Sequence, residues 1–121
     1  MSETRRNTGA LGEKLAEEHL KKHGYEILHR NYRTSLGEID IVAREGDCLV
    51  FVEVRTKRSL RFGTPEESIT RVKKAKLVDL AESYLQRNDT KIYDWRVDVV
   101  AVVMGKGNEV IRMEIIRNAL S

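Results

Sequence analysis

The chain has 121 residues, 40% of them hydrophobic and 34% charged, the balance of one soluble globular domain with a real core. A formal net charge of +3 permits contact with nucleic acid but lacks the large excess of a histone-like protein. The single cysteine, Cys48, excludes an internal disulfide and a multi-cysteine metal site; no apolar run reaches bilayer length, and the first residues lack a signal-peptide core, so a cytoplasmic location is expected.

Residues Met1 to Asn7 are polar, and fraying is expected there. A helix is predicted from Thr8 to His23, with Gly24 as its C-cap and Leu11, Leu15, Ala16 and Leu20 as its apolar face. Gly12 lies within that face, which predicts a close backbone approach. Glu13 projects from the edge of the face. Periodicity favours a plain surface residue there over a carboxylate leaning across a sheet.

Tyr25 to Arg33 reads as the first strand, and Thr34 to Gly37 as the turn after it. Two β-branched segments follow, Glu38–Ala43 and Cys48–Arg55, joined by the turn residues Glu45-Gly46-Asp47. Their short connections predict an antiparallel meander of three strands. Strict alternation places Glu38, Asp40 and Val42 on one face, and Ile39, Ile41 and Ala43 on the other. In the next strand Leu49, Phe51, Glu53 and Arg55 share a face opposite Val50, Val52 and Val54.

The charges inside these strands need an explanation. A carboxylate in the middle of an apolar run is costly unless it is paired or binds a metal. If the strands pair, Asp40 and Glu53 converge at one end of the sheet, with Arg55 beside them. That set suits a hard, oxygen-loving ion such as Mg²⁺. It equally suits structural ion pairs, and the residues alone leave the two readings level.

Arg55, Lys57, Arg58 and Arg61 form a basic run just after the acids, and Arg71, Lys73, Lys74 and Lys76 follow. A basic rim around an acidic centre is what a metal-dependent nuclease requires, although charge runs usually mark a solvated face. Thr64-Pro65-Glu66-Glu67 is a helix-start pattern with a capping box. The helical pattern runs from there to about Arg87, with a break near Thr70 and a buried stripe of Ile69, Val72, Ala75 or Lys76, Leu77, Leu80, Ala81, Tyr84 and Leu85. Asn88-Asp89 marks a turn. Trp95–Val103 is a strand apolar on both faces, in which Arg96 and Asp98 are expected to form a structural pair. Gly105–Asn108 is a hairpin turn, and Glu109–Ile116 is the last strand. The order α-β-β-β-α-β-β predicts a single α/β domain, residues 1–121, with helices packed on a mixed central sheet.

These residues resemble a known pattern. Asp40 followed by Glu53-Val54-Arg55 is similar to the Asp…Glu-x-Lys core of the restriction-endonuclease-like superfamily. Within it the chain resembles the YraN-type family of predicted bacterial endonucleases, related to archaeal Holliday junction resolvases. Gly9-x-x-Gly12-Glu13-x-x-Ala16, Arg30-Asn31-Tyr32-Arg33, Gly37-Glu38-Ile39-Asp40 and Phe51-Val52-Glu53-Val54 carry the likeness, with Phe62-Gly63-x-Pro65-Glu66, Lys73 and Arg96-Val97-Asp98-Val99-Val100 further on.

The resemblance implies a restriction-endonuclease-like fold and Mg²⁺- or Mn²⁺-dependent hydrolysis of nucleic acid, DNA ahead of RNA, on branched or damaged substrates. It makes Asp40 and Glu53 the principal metal ligands, adds Glu13 from the helix, and gives Glu38 a supporting place beside them. Lys57, Arg58, Arg61 and Lys73 would contact the nucleic acid. A homodimer, one site for each strand, is a further expectation; a membrane partner is not. The family pattern carries lysine where this chain has Arg55. Arginine keeps the charge but cannot yield its proton at accessible pH. Two alternatives therefore stand beside catalysis: a nucleic-acid-binding module on an impaired nuclease fold, and a non-enzymatic interaction subunit.

Overall fold

A computed structural model describes residues 2–88 and 94–120, with side chains from residue 7 onward. The elements are α1 (Ser2–Lys22), β1 (Glu26–Thr34), β2 (Gly37–Glu45), β3 (Cys48–Lys57), α2 (Arg71–Arg87), β4 (Asp94–Met104) and β5 (Val110–Ile116). Short 3-10 turns lie at Glu66–Ser68 and Lys106–Asn108. This is the predicted α-β-β-β-α-β-β succession.

The five strands form one sheet in the spatial order β1-β2-β3-β4-β5. Short turns make the β1–β2, β2–β3 and β4–β5 pairs antiparallel, whereas β3 and β4 run parallel because the chain crosses over through α2 between them. α1 covers one face, where Ala16 and Leu20 pack with Ile41, Val50, Val52 and Val100. α2 covers the other, where Leu77, Leu80 and Tyr84 pack with Val42, Leu49, Phe51 and Val97. The central strands are thus apolar on both sides, which explains the unbroken hydrophobic runs of β3 and β4. Among the described residues no helix is long and apolar enough to cross a membrane.

The structure departs from the sequence pattern in three places. α1 begins at Ser2 rather than Thr8. The polar residues before Gly9 include no helix breaker, so polarity there marks extra helical turns rather than coil. The Thr64–Glu67 capping box does form: Glu67 N–H donates to Thr64 Oγ1 at 3.3 Å, and Thr64 N–H to Glu67 Oε1 at 2.8 Å. Yet it starts only the short 3-10 turn, because Ile69 is extended. α2 starts instead behind Thr70, whose Oγ1 accepts from Lys73 N–H at 3.1 Å. Val72 consequently falls outside the buried stripe and is 80% exposed. The predicted turn at Asn88-Asp89 is seen as far as Asn88, whose N–H caps α2 on the Tyr84 carbonyl; Asp89 lies outside the described residues.

The third departure bears on function. Alternation puts Ile39, Ile41 and Ala43 on one face, but the structure breaks this at Asp40. Ile41 and Ala43 pack under α1, while Ile39 packs with Val42 under α2. The strand switches faces at Asp40, so its carboxylate sits at an irregularity and not on a flat, solvated row.

Candidate functional site

The β2–β3 ladder ends at the Ile41–Val52 rung, and one step beyond it Asp40 and Glu53 meet across the strands. Past that point the Val54 N–H donates to Asp40 Oδ2 at 2.9 Å, so a side chain takes over from the backbone ladder. α1 brings a third acid. Gly12 makes this possible, because a β-carbon there would come within 2.9 Å of Thr56 Cβ. Without that side chain α1 lies directly on β3, and Glu13 is set over the strand ends.

The acids differ in their compensation. Glu53 is buried, and its Oε2 lies 3.0 Å from an Arg55 terminal nitrogen and 3.6 Å from Lys73 Nζ. A buried charge requires such partners. Among the described residues neither Asp40 nor Glu13 has a salt bridge. Burial, and then the Glu53 charge, push the Asp40 carboxyl up to about 7. Burial, followed by the charges of Asp40 and Glu38, pushes Glu13 up to about 7 as well.

Asn31 joins the cluster, a role that its place in a strand pattern does not announce. Its backbone is left-handed, with φ of 50°. With the amide nitrogen turned toward the acids, Nδ2 donates to Glu13 Oε1 at 2.9 Å and to Glu38 Oε1 at 2.7 Å. Glu38 also pairs with Arg33 Nε at 3.3 Å. Glu38 is therefore tied through Asn31 to Glu13, one step removed from Asp40 and Glu53. Asparagine is among the residues that tolerate positive φ, and its occurrence inside a strand pattern is the signal that could have flagged it.

The four basic residues named from sequence part company. Lys73 reaches the acids. Lys57 Nζ donates to the Phe62 and Gly63 carbonyls at 3.5 and 3.4 Å and so braces its own loop. Arg58 donates from Nε to Thr8 Oγ1 at 2.8 Å and from a terminal nitrogen to Asn108 Oδ1 at 2.7 Å, which ties α1 to the β4–β5 hairpin. Arg61 is exposed at the tip of the loop, its guanidinium 5.5 Å from the Phe62 ring centre. The Arg96–Asp98 pair forms as expected. Fully buried Asp98 accepts from Arg96 Nε at 2.8 Å, Tyr25 OH at 2.8 Å and Asn118 N–H at 2.9 Å, and holds the C-terminal segment to β4.

Two clefts meet at Glu13. One, of about 610 Å³, is lined by Gly9, Asn31, Arg33 and Asp40. The other, of about 500 Å³, is lined by Thr8, Val54, Arg55 and Arg58. Among the described residues no three His, Cys, Asp or Glu side chains form a ready-made metal cage. Asp40 and Glu13 nevertheless fit a hard divalent ion. They offer only oxygen, burial and neighbouring carboxylates (Glu53 for Asp40; Asp40 and Glu38 for Glu13) disfavour their charged forms, and Mg²⁺ takes one or two carboxylates while keeping several waters.

Comparison with known proteins places the chain among relatives of similar length. A UPF0102 protein of Caldicellulosiruptor saccharolyticus is 52% identical over 95% of this chain and 98% of its own length. One from Dehalococcoides mccartyi is 48% identical over 99% of this chain and 98% of its own, and one from Moorella thermoacetica 46% identical over 98% and 99%. Among solved structures, Pyrococcus furiosus SfsA in complex with Ca²⁺ superposes with a TM-score of 0.45 at 18% identity; the match covers 88% of this chain and spans 62% of SfsA. The model of the family described as Uncharacterised protein family UPF0102 matches residues 12–102, from the Gly12 contact through the Asp40–Glu53 junction to near the end of β4, and the chain belongs to that family, the YraN-type group.

Proposed function

We propose that the protein is a metal-dependent phosphodiesterase acting on nucleic acid, DNA ahead of RNA. One observation carries this reading: Asp40 and Glu13 are drawn together at the end of the β2–β3 ladder beside buried Glu53, and among the described residues neither has a salt bridge, in keeping with carboxyls raised to about 7. Burying carboxylates beside one another in this way costs stability, and a divalent ion relieves it. Asp40 and Glu13, with Glu53 at the margin, would hold Mg²⁺ or Mn²⁺, which when bound activates water and offsets charge on the phosphodiester.

The chain's own residues do the rest. Arg55 braces a phosphate oxygen with its guanidinium; among the described residues its buried Nε has no acceptor, and that N–H is available to a ligand. Lys73, from the first turn of α2, supplies the ammonium that the family pattern places at position 55, and Glu53 orients it. Asn31 keeps Glu13 aimed at the junction through its amide. In this reading the protein works in the cytoplasm, as a homodimer when both strands are cut. The test is incubation with branched, gapped and intact DNA in Mn²⁺ or Mg²⁺. Products from wild type and none from Asp40→Ala are expected; equal cleavage by the two proteins would defeat the proposal.

The pairing of Glu53 with both Arg55 and Lys73 favours a second reading, binding without hydrolysis. It predicts salt-dependent affinity that is indifferent to EDTA, and no products under any divalent ion.

A further inference from the structure

Phe62 is 84% exposed, an unusual place for an aromatic ring on a basic loop. It stands on a built turn. The Gly63 N–H donates to the Leu60 carbonyl at 3.0 Å, which leaves Arg61 and Phe62 as the two corner residues. Gly63, the last residue of the turn, leaves it with a positive φ of 99°. The Lys57 ammonium holds the Phe62 and Gly63 carbonyls from beneath, and the Ser59 hydroxyl accepts from Arg61 N–H at 3.1 Å. The loop's polar groups are thus engaged inward while its ring points outward. Lys57 lies four residues beyond Glu53 on the same strand, about 13 Å at the usual rise per residue.

We infer that Phe62 is a platform on which an unpaired DNA base stacks when the adjoining backbone lies in the acidic cleft. The argument is one of chemical complementarity. A solvated aromatic ring flanked by Arg61 offers a π-face for a base and a cation for its phosphate. In an intact duplex both faces of a base are already stacked, so the ring gains a partner only where a nucleotide is unpaired. Lys57, the loop's anchor, stands about 13 Å along the strand from Glu53, roughly four base steps at 3.4 Å each, so the unpaired base lies several nucleotides from the cut. The inference rests on the proposed nuclease reading for its polymer and adds the residue that would engage an unpaired base.

The experiment is fluorescence titration in EDTA of two DNAs, an intact duplex and the same duplex with a short single-stranded gap carrying 2-aminopurine. Wild type is expected to bind the gapped DNA about tenfold more tightly and to quench the probe, as one base–aromatic stack implies. Phe62→Leu should lose both the preference and the quenching, and Phe62→Trp should restore them. Equal affinity of wild type for the two DNAs, or an unchanged preference in Phe62→Leu, overturns the inference. Because EDTA prevents metal-dependent cutting, the result is independent of hydrolysis. A Phe62-dependent preference without products in Mn²⁺ would defeat only the nuclease reading, and products without that preference only the stacking.

Discussion

Asp40 Oδ2 is held at 2.9 Å by the backbone N–H of Val54, on the strand that carries Glu53. One oxygen of the carboxylate is therefore fixed in place, and the charge it carries is pressed against Glu53 across the strands. The contact joins the end of a hydrogen-bond ladder to the start of an acidic site, and several expectations follow from its chemistry.

Asp40→Asn should stabilise the metal-free protein. The folded carboxyl is raised from 3.8 to about 7, so between those values the folded state holds a proton that the unfolded state lacks. Wild-type stability therefore falls as pH rises through this window. The variant, uncharged but still able to accept from Val54, should melt higher at pH 8, on the order of 5 °C, with the gain vanishing near pH 4. Scanning calorimetry in EDTA across pH 4–8 checks it. A lower melting temperature at pH 8 would show that the site is not charge-strained.

Divalent ion binding should release protons. Asp40 and Glu13 are both raised to about 7, so an ion that binds their ionised forms displaces what they hold. Mn²⁺ affinity should rise from pH 6 to pH 8. Calorimetric titration at pH 7 in two buffers of different ionisation enthalpy should give different heats. Identical heats would exclude these acids as the ligands.

Lys73→Ala should lower cleavage about 10²- to 10³-fold, the usual effect of removing one charge-stabilising donor. Arg55→Lys should retain most of the rate, because Lys73 already supplies an ammonium at Glu53. Single-turnover rates separate the two. A larger loss from Arg55→Lys than from Lys73→Ala would reverse the assignment.

Gly12→Ala should cost about 1–3 kcal/mol, the range for forcing an atom into a filled contact. The added carbon meets Thr56 Cβ at 2.9 Å and lifts α1 away from β3, taking Glu13 with it. Urea unfolding measures the loss, and Mn²⁺ affinity should fall in the same variant. Combining it with Thr56→Ala should recover part of both.

The acid limb of stability should depend on Glu66. Its two oxygens lie 2.7 Å from the two terminal nitrogens of Arg112, and this pairing lowers its carboxyl to about 2. The contribution is present above 4.5 and is lost as pH falls from there toward 2. Glu66→Gln should reduce stability at pH 6 and flatten its decline on acidification, read from urea midpoints at several pH values.

The fold was legible because its signals are local. Short turns set the β1–β2–β3 meander, β-branched runs marked the buried strands, and Gly12 announced a helix lying close on the sheet. Asp40 and Glu53 were legible through the junction that a hairpin makes. Asn31 was not, since its part depends on a left-handed backbone that strand periodicity does not encode. The position of Glu13 was legible only from family likeness, because helical angle alone favours the surface. The roles of Lys57 and Arg58 escaped for the opposite reason. A basic run looks alike whether it faces phosphates or, as here, the protein's own carbonyls, hydroxyl and amide oxygens.

The parallel pairing of β3 with β4 carries a further meaning for how the molecule comes into being. Asp40 and Glu53 sit on neighbouring hairpin strands and can meet early, whereas Lys73 arrives only when the long excursion through α2 has docked. A half-made chain would hold the acids without their ammonium. Maturation of the chain and completion of the acidic site with its ammonium would then be a single event.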